Sequence, residues 1–121
     1  LLIFDDVGYS GSLKNKQSGV ISKLISNGRH LGLSQIYTSQ RFTMCSSIMK
    51  SNVTGACFGN TSMAEVDLIS ESFNYLNNKK DFINLFRKYT AKPRSFLCIN
   101  FTNEDGLYQD SEFKTIDLNN I

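Results

Sequence analysis

The feature that most constrains the fold is an unbroken apolar run at the start of the chain, Leu1 to Phe4, followed at once by Asp5 and Asp6. Consecutive apolar side chains without alternation are typical of a strand that is buried on both faces, as in the parallel sheet of an α/β protein. We therefore expect a central strand whose carboxyl end presents two carboxylates. Because the chain opens on Leu1, in mid-strand, we also expect that an N-terminal portion precedes it.

Beyond this run, short apolar segments alternate with segments that have the spacing of amphipathic helices. Gly28 is placed to stop the first helix, and Ser62 with Glu65 has the spacing of a capping box at the start of a later one. Strands are predicted over 33–39, 54–59 and 95–101, and helices over about 20–27, up to 50, 62–76 and 81–89. This alternation predicts an α/β fold, with a mostly parallel sheet flanked by helices.

Charge is distributed unevenly along the chain. The net charge is +2, but residues 1–102 carry twelve basic and six acidic side chains, whereas residues 103–121 carry five acids and one base. We therefore predict one core over 1–102 and an acidic C-terminal tail over 103–121. A basic body suits a polyanionic partner such as nucleic acid. An ordinary solvated surface explains the same charge.

Cysteine and histidine usage argues against a zinc site and against a secreted protein. Cys45, Cys57 and Cys98 are widely spaced, without a CxxC pair, and His30 is the only histidine. A structural zinc site needs about four such ligands. The pattern is typical of reduced thiols in an intracellular protein. No apolar run approaches the roughly 20 residues that a membrane-spanning helix needs.

Four apolar residues followed by two acids is also the form of a Walker B element. A strand that fixes the backbone would project both carboxylates into the crevice at its carboxyl end, where open α/β sheets bind ligands. One carboxylate, acting directly or through water, is enough to hold Mg²⁺, which prefers hard oxygen ligands. The second could orient or deprotonate an attacking water. Alternatively, Asp5 and Asp6 only solubilise a strand-to-loop turn.

Four further polar residues have side chains that could contact phosphate groups. Gln40, at the end of the second strand, could hydrogen-bond a γ-phosphate or a lytic water, because its amide both donates and accepts. Arg29 could offer a planar guanidinium to phosphate oxygens. Lys50 and Asn52, at the end of the short helix, could contact DNA phosphates or a neighbouring subunit. Alternatively, Gln40 is only a polar strand end and Arg29 is only a cation at a helix C-terminus. Lys50 and Asn52 would then belong to an ordinary surface.

Together these segments resemble one family. LLIFDD, NGRHLGLSQIYTSQ and IMKSN follow one another in the order seen in viral genome-packaging ATPases of the poxvirus type, within the HerA/FtsK group of P-loop ATPases. The most specific part is the GRH triplet that feeds a strand ending in Ser-Gln. The resemblance covers residues 1–60 well and 61–102 loosely.

The resemblance implies the C-terminal half of a RecA-like P-loop ATPase core that uses ATP and Mg²⁺. By the same resemblance, Asp5 is the Mg²⁺-coordinating acid, which also contacts the nucleotide, and Asp6 is the catalytic acid. Gln40 corresponds to the γ-phosphate sensor, and Arg29 to an arginine that acts as a finger or a sensor. The implied activity is ATP-driven movement of double-stranded DNA through a homo-oligomeric ring, a hexamer. Capsid proteins are implied as partners, and virus assembly sites in the host cytoplasm or nucleus, or the virion, as the location.

One element of the family pattern is absent. The chain contains no G-x-x-x-x-G-K-[ST] sequence, whose backbone amides and lysine would hold the β- and γ-phosphates. In the family this loop precedes the Walker B strand, so we expect it upstream of Leu1 and expect these residues alone to bind ATP poorly. Two alternatives remain open. One is an inactive P-loop-like module for assembly or DNA binding, and the other is another P-loop NTPase such as a helicase.

Overall fold

The computed structural model describes residues 1–6, 20–28, 30–45, 47–104 and 106–120. These residues form two compact units, Leu1–Val53 and Thr54–Ile121. Arg29 and the loop predicted over 7–16 lie outside the described residues. In the described part of the chain, every helix is too short or too polar to cross a membrane.

The first unit is built on a pair of parallel strands. Its strands β1 and β2 run side by side, with Ile3 opposite Ile36 in the register. This pair is parallel, as expected for the mostly parallel sheet that the sequence predicts. The elements in chain order are β1 (Leu2–Phe4), α1 (Val20–Asn27), β2 (Gln35–Tyr37), a 3₁₀ turn (Phe42–Met44) and α2 (Ser47–Asn52).

A glycine ends α1 and lets β2 approach it. Gly28 is buried, and its amide donates to the Leu24 carbonyl at 2.7 Å. The side chain of Gln35 donates from Nε2 to the same carbonyl at 2.9 Å. A Cβ at Gly28 would overlap the Gln35 amide. A side chain at this position would therefore break the link between the helix and the strand.

The prediction that β1 is a central strand buried on both faces is wrong for the described residues. Phe4 and Tyr37 stack on one face, with ring centroids 5.0 Å apart. On the other face, Ile3 is 63% exposed and Ile36 is 49% exposed. Side chains alternate between the two faces of a strand, and within the described residues β2 is the only strand paired with β1.

The second unit contains a three-stranded sheet in the order β3-β4-β5 and two helices. Ser62 caps the first of these helices, and its side chain accepts a hydrogen bond from the Glu65 amide, as the capping-box spacing predicts. The elements in chain order are β3 (Gly55–Phe58), α3 (Met63–Phe73), α4 (Lys79–Thr90), β4 (Leu97–Asn100), β5 (Tyr108–Gln109) and a 3₁₀ turn (Leu118–Asn120).

The prediction of a mostly parallel sheet is correct for the first unit and wrong for the second. β4 is antiparallel to both β3 and β5. A single helix between two strands returns the chain to the end of the sheet where it started, which makes the strands parallel. Two helices, α3 and α4, separate β3 from β4, so the chain makes one more pass before the next strand begins. Residues 101–107 then connect β4 to β5.

The core of the second unit is largely aromatic. Phe82 and Phe86 of α4 are fully buried and lie 6.2 Å apart between ring centroids. The Tyr108 hydroxyl, on β5, donates to the Phe73 carbonyl at 2.8 Å and accepts from the Tyr75 amide at 2.9 Å. The segment predicted as an acidic tail therefore contributes a buried side chain to this unit.

Candidate functional site

The candidate site lies where β1 and β2 end beside each other. Phe4 is paired with Tyr37 at the last position of the parallel register. Thr38, the residue directly after β2, donates from its amide to the Phe4 carbonyl at 3.0 Å. The parallel pairing therefore continues past both strands and brings Thr38 to the level of the two acids.

The Thr38 hydroxyl joins the two acids. It accepts a hydrogen bond from the Asp6 amide at 2.9 Å and donates a short one to Asp5 Oδ1. One hydroxyl thus orients the Asp5 carboxylate and also holds the backbone amide of Asp6 in place. Sequence reasoning missed Thr38. Its role depends on the register between β1 and β2, which the local sequence does not specify.

Asp6 carries two features that are typical of a functional position. Its φ is 55°, in the left-handed region, which costs a residue other than glycine roughly 1–2 kcal/mol. Within the described part of the chain, its Oδ1 is the one buried side-chain oxygen or nitrogen without a hydrogen-bond partner. A buried polar atom is normally paired, so an orphaned carboxylate oxygen points to a missing cation or donor.

The two carboxylates fit a magnesium site better than a site for a softer metal. Asp5 is exposed and can be reached from solvent. Both acids offer hard oxygen ligands, and Mg²⁺ commonly takes only one or two carboxylates while it keeps several waters. No cluster of three or more His, Cys, Asp or Glu side chains occurs among the residues that the structure describes. The donor set therefore suits a Mg²⁺ ion that a ligand such as a nucleotide helps to hold.

Gln40 lies just beyond the same strand end. It is exposed, two residues after Thr38. The preceding residue, Ser39, donates from its hydroxyl to the Arg41 carbonyl at 3.0 Å, so the chain turns there. The parallel register brings this end of β2 beside β1, but whether the Gln40 amide reaches the carboxylates stays a prediction. The role of Arg29 also stays a prediction, because that residue lies outside the described residues.

Lys50 and Asn52 lie on α2 and contact their own unit. The Lys50 ammonium is 4.1 Å from the centroid of the Phe42 ring, a cation–π distance. Asn52 donates from Nδ2 to the Ile48 carbonyl at 2.8 Å. The exposed Asn52 side chain is thus engaged at the end of the helix, and a contact of either residue with DNA or a second subunit stays a prediction.

Solved structures of similar fold include two viral packaging enzymes. The DNA-packaging ATPase B204 from Sulfolobus Turreted Icosahedral Virus matches 96% of this chain with a TM-score of 0.68 and 19% identity, over 52% of its own length. The genome packaging NTPase B204 from Sulfolobus turreted icosahedral virus 2, in complex with ATP-gammaS, matches the same share with a TM-score of 0.68 and 20% identity. At this level of identity the likeness shows the fold.

Relatives by sequence include the DNA packaging protein OPG160 of several poxviruses. The Vaccinia virus (strain Copenhagen) protein is 28% identical over 115 residues, which is 94% of this chain. The Monkeypox virus protein is also 28% identical over 115 residues, and the Variola virus protein is 27% identical. The chain spans 40% of the length of the Vaccinia virus protein. Residues 1–117 match the poxvirus A32 protein family, and the chain therefore belongs to that family.

Proposed function

We propose that this chain is the Walker B and sensor half of an ATP-driven motor that packages viral DNA. The observation that carries the proposal is the Asp5–Thr38–Asp6 arrangement at the paired ends of β1 and β2, with an unpartnered buried oxygen on Asp6. The names of the poxvirus relatives as DNA packaging proteins support the same function. The buried central strand that the sequence predicted for a Walker B element does not support the proposal, because one face of β1 is exposed.

The proposed roles divide between the two acids. Asp5 would hold Mg²⁺ directly or through a water, with the Thr38 hydroxyl orienting one of its oxygens. Asp6 would position the attacking water and accept its proton. Gln40 would hydrogen-bond the γ-phosphate or that water from the next strand. The bound metal would supply positive charge against the negative charge that develops on the transferred phosphoryl group.

The motor itself would be a larger assembly than this chain. We place the phosphate-binding loop in a longer form of the protein, within a RecA-like core that binds ATP between subunits of a homo-oligomeric ring, a hexamer. DNA would be held through its phosphates without regard to sequence. Lys50 and Asn52 are the candidate DNA or subunit contacts, and capsid proteins are candidate partners. Packaging would take place at virus assembly sites in the host.

The proposal is tested by replacing Asp6 with asparagine in the longer, loop-containing form. The amide keeps the size of the side chain but is a poor base, so ATP hydrolysis should fall by about 10²-fold or more while nucleotide binding persists. Steady-state hydrolysis and binding of a fluorescent nucleotide measure the two effects. Glu71→Gln, at an exposed acid of α3, is the matched control and should leave both unchanged.

The same measurements separate the alternatives. Unchanged turnover in the Asp6→Asn protein would remove Asp6 from the mechanism. A longer form that binds no nucleotide would instead favour an inactive module for assembly or DNA binding, which the absence of a G-x-x-x-x-G-K-[ST] sequence in these 121 residues leaves open. A duplex-unwinding activity without packaging would favour a helicase.

A further inference from the structure

Two cysteines face each other across the antiparallel pair of β3 and β4. Cys57 is directly opposite Cys98 in the register. The Phe101 amide donates to the Thr54 carbonyl at 3.0 Å, which marks that pair of residues as a hydrogen-bonded one. Hydrogen-bonded and non-hydrogen-bonded pairs alternate along an antiparallel ladder. Three positions further along, Cys57 and Cys98 therefore form a non-hydrogen-bonded pair, the type in which side chains approach most closely.

This register gives the two residues the spacing of a disulfide. In a non-hydrogen-bonded pair the Cα atoms are about 4.5 Å apart. Disulfides join residues whose Cα atoms are roughly 4.4–6.8 Å apart, so no strand needs to move far for a bond to form. Both side chains point to the same face of the sheet, because directly opposite residues share a face. Both cysteines are thiols in the structure.

The two thiols differ in access to solvent. Cys57 is exposed, whereas Cys98 is 4% exposed. Burial, the hydrogen bond with Cys57, the charge of Cys57 and the charge of Asp110 together raise the pKa of the Cys98 thiol to about 12, and burial has the largest effect. At neutral pH Cys98 is therefore a protonated, shielded thiol. A reagent in solution meets Cys57 first.

We propose that Cys57 and Cys98 are a disulfide-forming pair that reacts with low-molecular-weight disulfides such as oxidised glutathione. The Cys57 thiolate attacks one sulfur of the glutathione disulfide, forms a mixed disulfide and releases one glutathione thiolate, which takes up a proton. Cys98 then loses its proton and attacks the Cys57 sulfur, which releases the second glutathione as a thiol. Two protein thiols are oxidised by two electrons, and one glutathione disulfide is reduced to two thiols.

The product would cross-link the two strands that flank both helices of the second unit. The chain between Cys57 and Cys98 contains α3 and α4. A bond that closes so long a segment restricts the unfolded chain and thereby stabilises the folded one. A metal site is the competing use of two close thiols, but no third His, Cys, Asp or Glu joins them within the described ranges. This proposal is independent of the proposed packaging function.

The test exposes the full chain to oxidised glutathione and follows its intact mass and its peptide map. The native protein should lose two hydrogen atoms and yield a Cys57–Cys98 cross-linked peptide, and its melting temperature should rise. Cys98→Ala should stop at the mixed disulfide on Cys57, because nothing resolves it. Cys57→Ser should not react at Cys98. Cys45→Ser, a change in the other unit, is the matched control and should cross-link like the native protein.

Three results would overturn the proposal. One is a native protein that keeps a glutathione adduct on Cys57 without forming the cross-link. Another is a cross-link that uses Cys45 or joins two chains. The third is a native protein that does not react while its folded state, checked by circular dichroism, is intact. Cys57 is exposed, so Cys57→Ser should fold even if a substitution at the buried Cys98 does not.

Discussion

At the scale of single residues, the candidate site depends on one hydroxyl that sequence reasoning missed. The Thr38 hydroxyl accepts a hydrogen bond from the Asp6 amide and donates one to the Asp5 carboxylate. The two acids were recognisable because they follow an apolar run. Thr38 was not, because its role depends on the register between β1 and β2, and a shift of one residue would direct it to the other face. Local sequence does not specify that register.

The role of Thr38 is tested by Thr38→Val in the proposed longer form that carries a phosphate-binding loop. Valine has nearly the same shape but no hydroxyl, so the Asp6 amide and Asp5 Oδ1 both lose their partner. Groups that orient a metal ligand typically contribute about 10–100-fold to metal affinity or activity. We expect a loss of this size, seen as a higher Mg²⁺ concentration for half-maximal nucleotide binding and a lower turnover.

Thr38→Ser is the matched control, because it keeps the hydroxyl and removes only a methyl group. It should restore the Mg²⁺ dependence close to that of the native protein. If valine and serine behave alike, the hydroxyl does not position the acids, and the two hydrogen bonds serve only to join the strands.

At the scale of helices and strands, sequence reasoning located the four helices and the first four strands, but not β5 and not all of the strand directions. The start of α3 followed from the Ser62 and Glu65 spacing, and the end of α1 from Gly28, because caps are local features. The antiparallel direction of β4 depends on how the chain returns after α3 and α4. That is a property of tertiary packing, which residue periodicity does not encode.

The sheet of the second unit should lose stability in alkali. Burial, together with Cys57 and Asp110, raises the pKa of Cys98 on β4 from an ordinary value of 9.0 to about 12, and burial also raises the pKa of Tyr108 on β5. Both groups are buried as neutral forms. Above pH 9.0 the unfolded chain ionises Cys98 more readily than the folded one does, so the stabilisation is full below that pH and is lost as the pH rises toward about 12.

Urea unfolding at a series of pH values measures this effect. Each unit of pKa difference corresponds to about 1.4 kcal/mol, so the free energy of unfolding should fall steeply over this range. Cys98→Ala should remove the part of the pH dependence of the free energy of unfolding that comes from Cys98. The part that comes from Tyr108 should remain. A slope that is the same in both proteins would show that Cys98 titrates alike in the folded and unfolded chains.

At the scale of the whole chain, the candidate site residues lie in one unit, and most of the fully buried side chains of the described residues lie in the other. Every candidate site residue belongs to residues 1–53, the first unit, whereas the second unit supplies most of the fully buried side chains. The mixture of helices and strands could be predicted because their alternation is a long-range pattern in the sequence. The exposure of Ile3 could not, since it depends on what packs against the sheet and not on the strand itself.

The last prediction concerns the assembly and Arg29. If Arg29 is a finger, it must reach the nucleotide of an adjacent subunit in the proposed ring. An arginine supplied in this way contributes roughly 10³–10⁵ to turnover, whereas a cation at a helix C-terminus contributes about 0.3–1 kcal/mol to stability. Arg29→Ala in the longer form should therefore nearly abolish hydrolysis while the ring still assembles and binds nucleotide.

Mixing two defective subunits decides where the arginine acts. One carries Arg29→Ala, and the other carries a defective phosphate-binding loop, so each is inactive alone. In a mixed ring, an intact Arg29 from one subunit can face an intact nucleotide pocket of the other, and partial ATPase activity should return in proportion to such neighbours. Lys23→Ala, at an exposed lysine of α1, is the matched control and should be active without mixing. If mixed rings assemble but stay inactive, Arg29 works within its own subunit, because no single subunit in those rings carries both an intact arginine and an intact pocket.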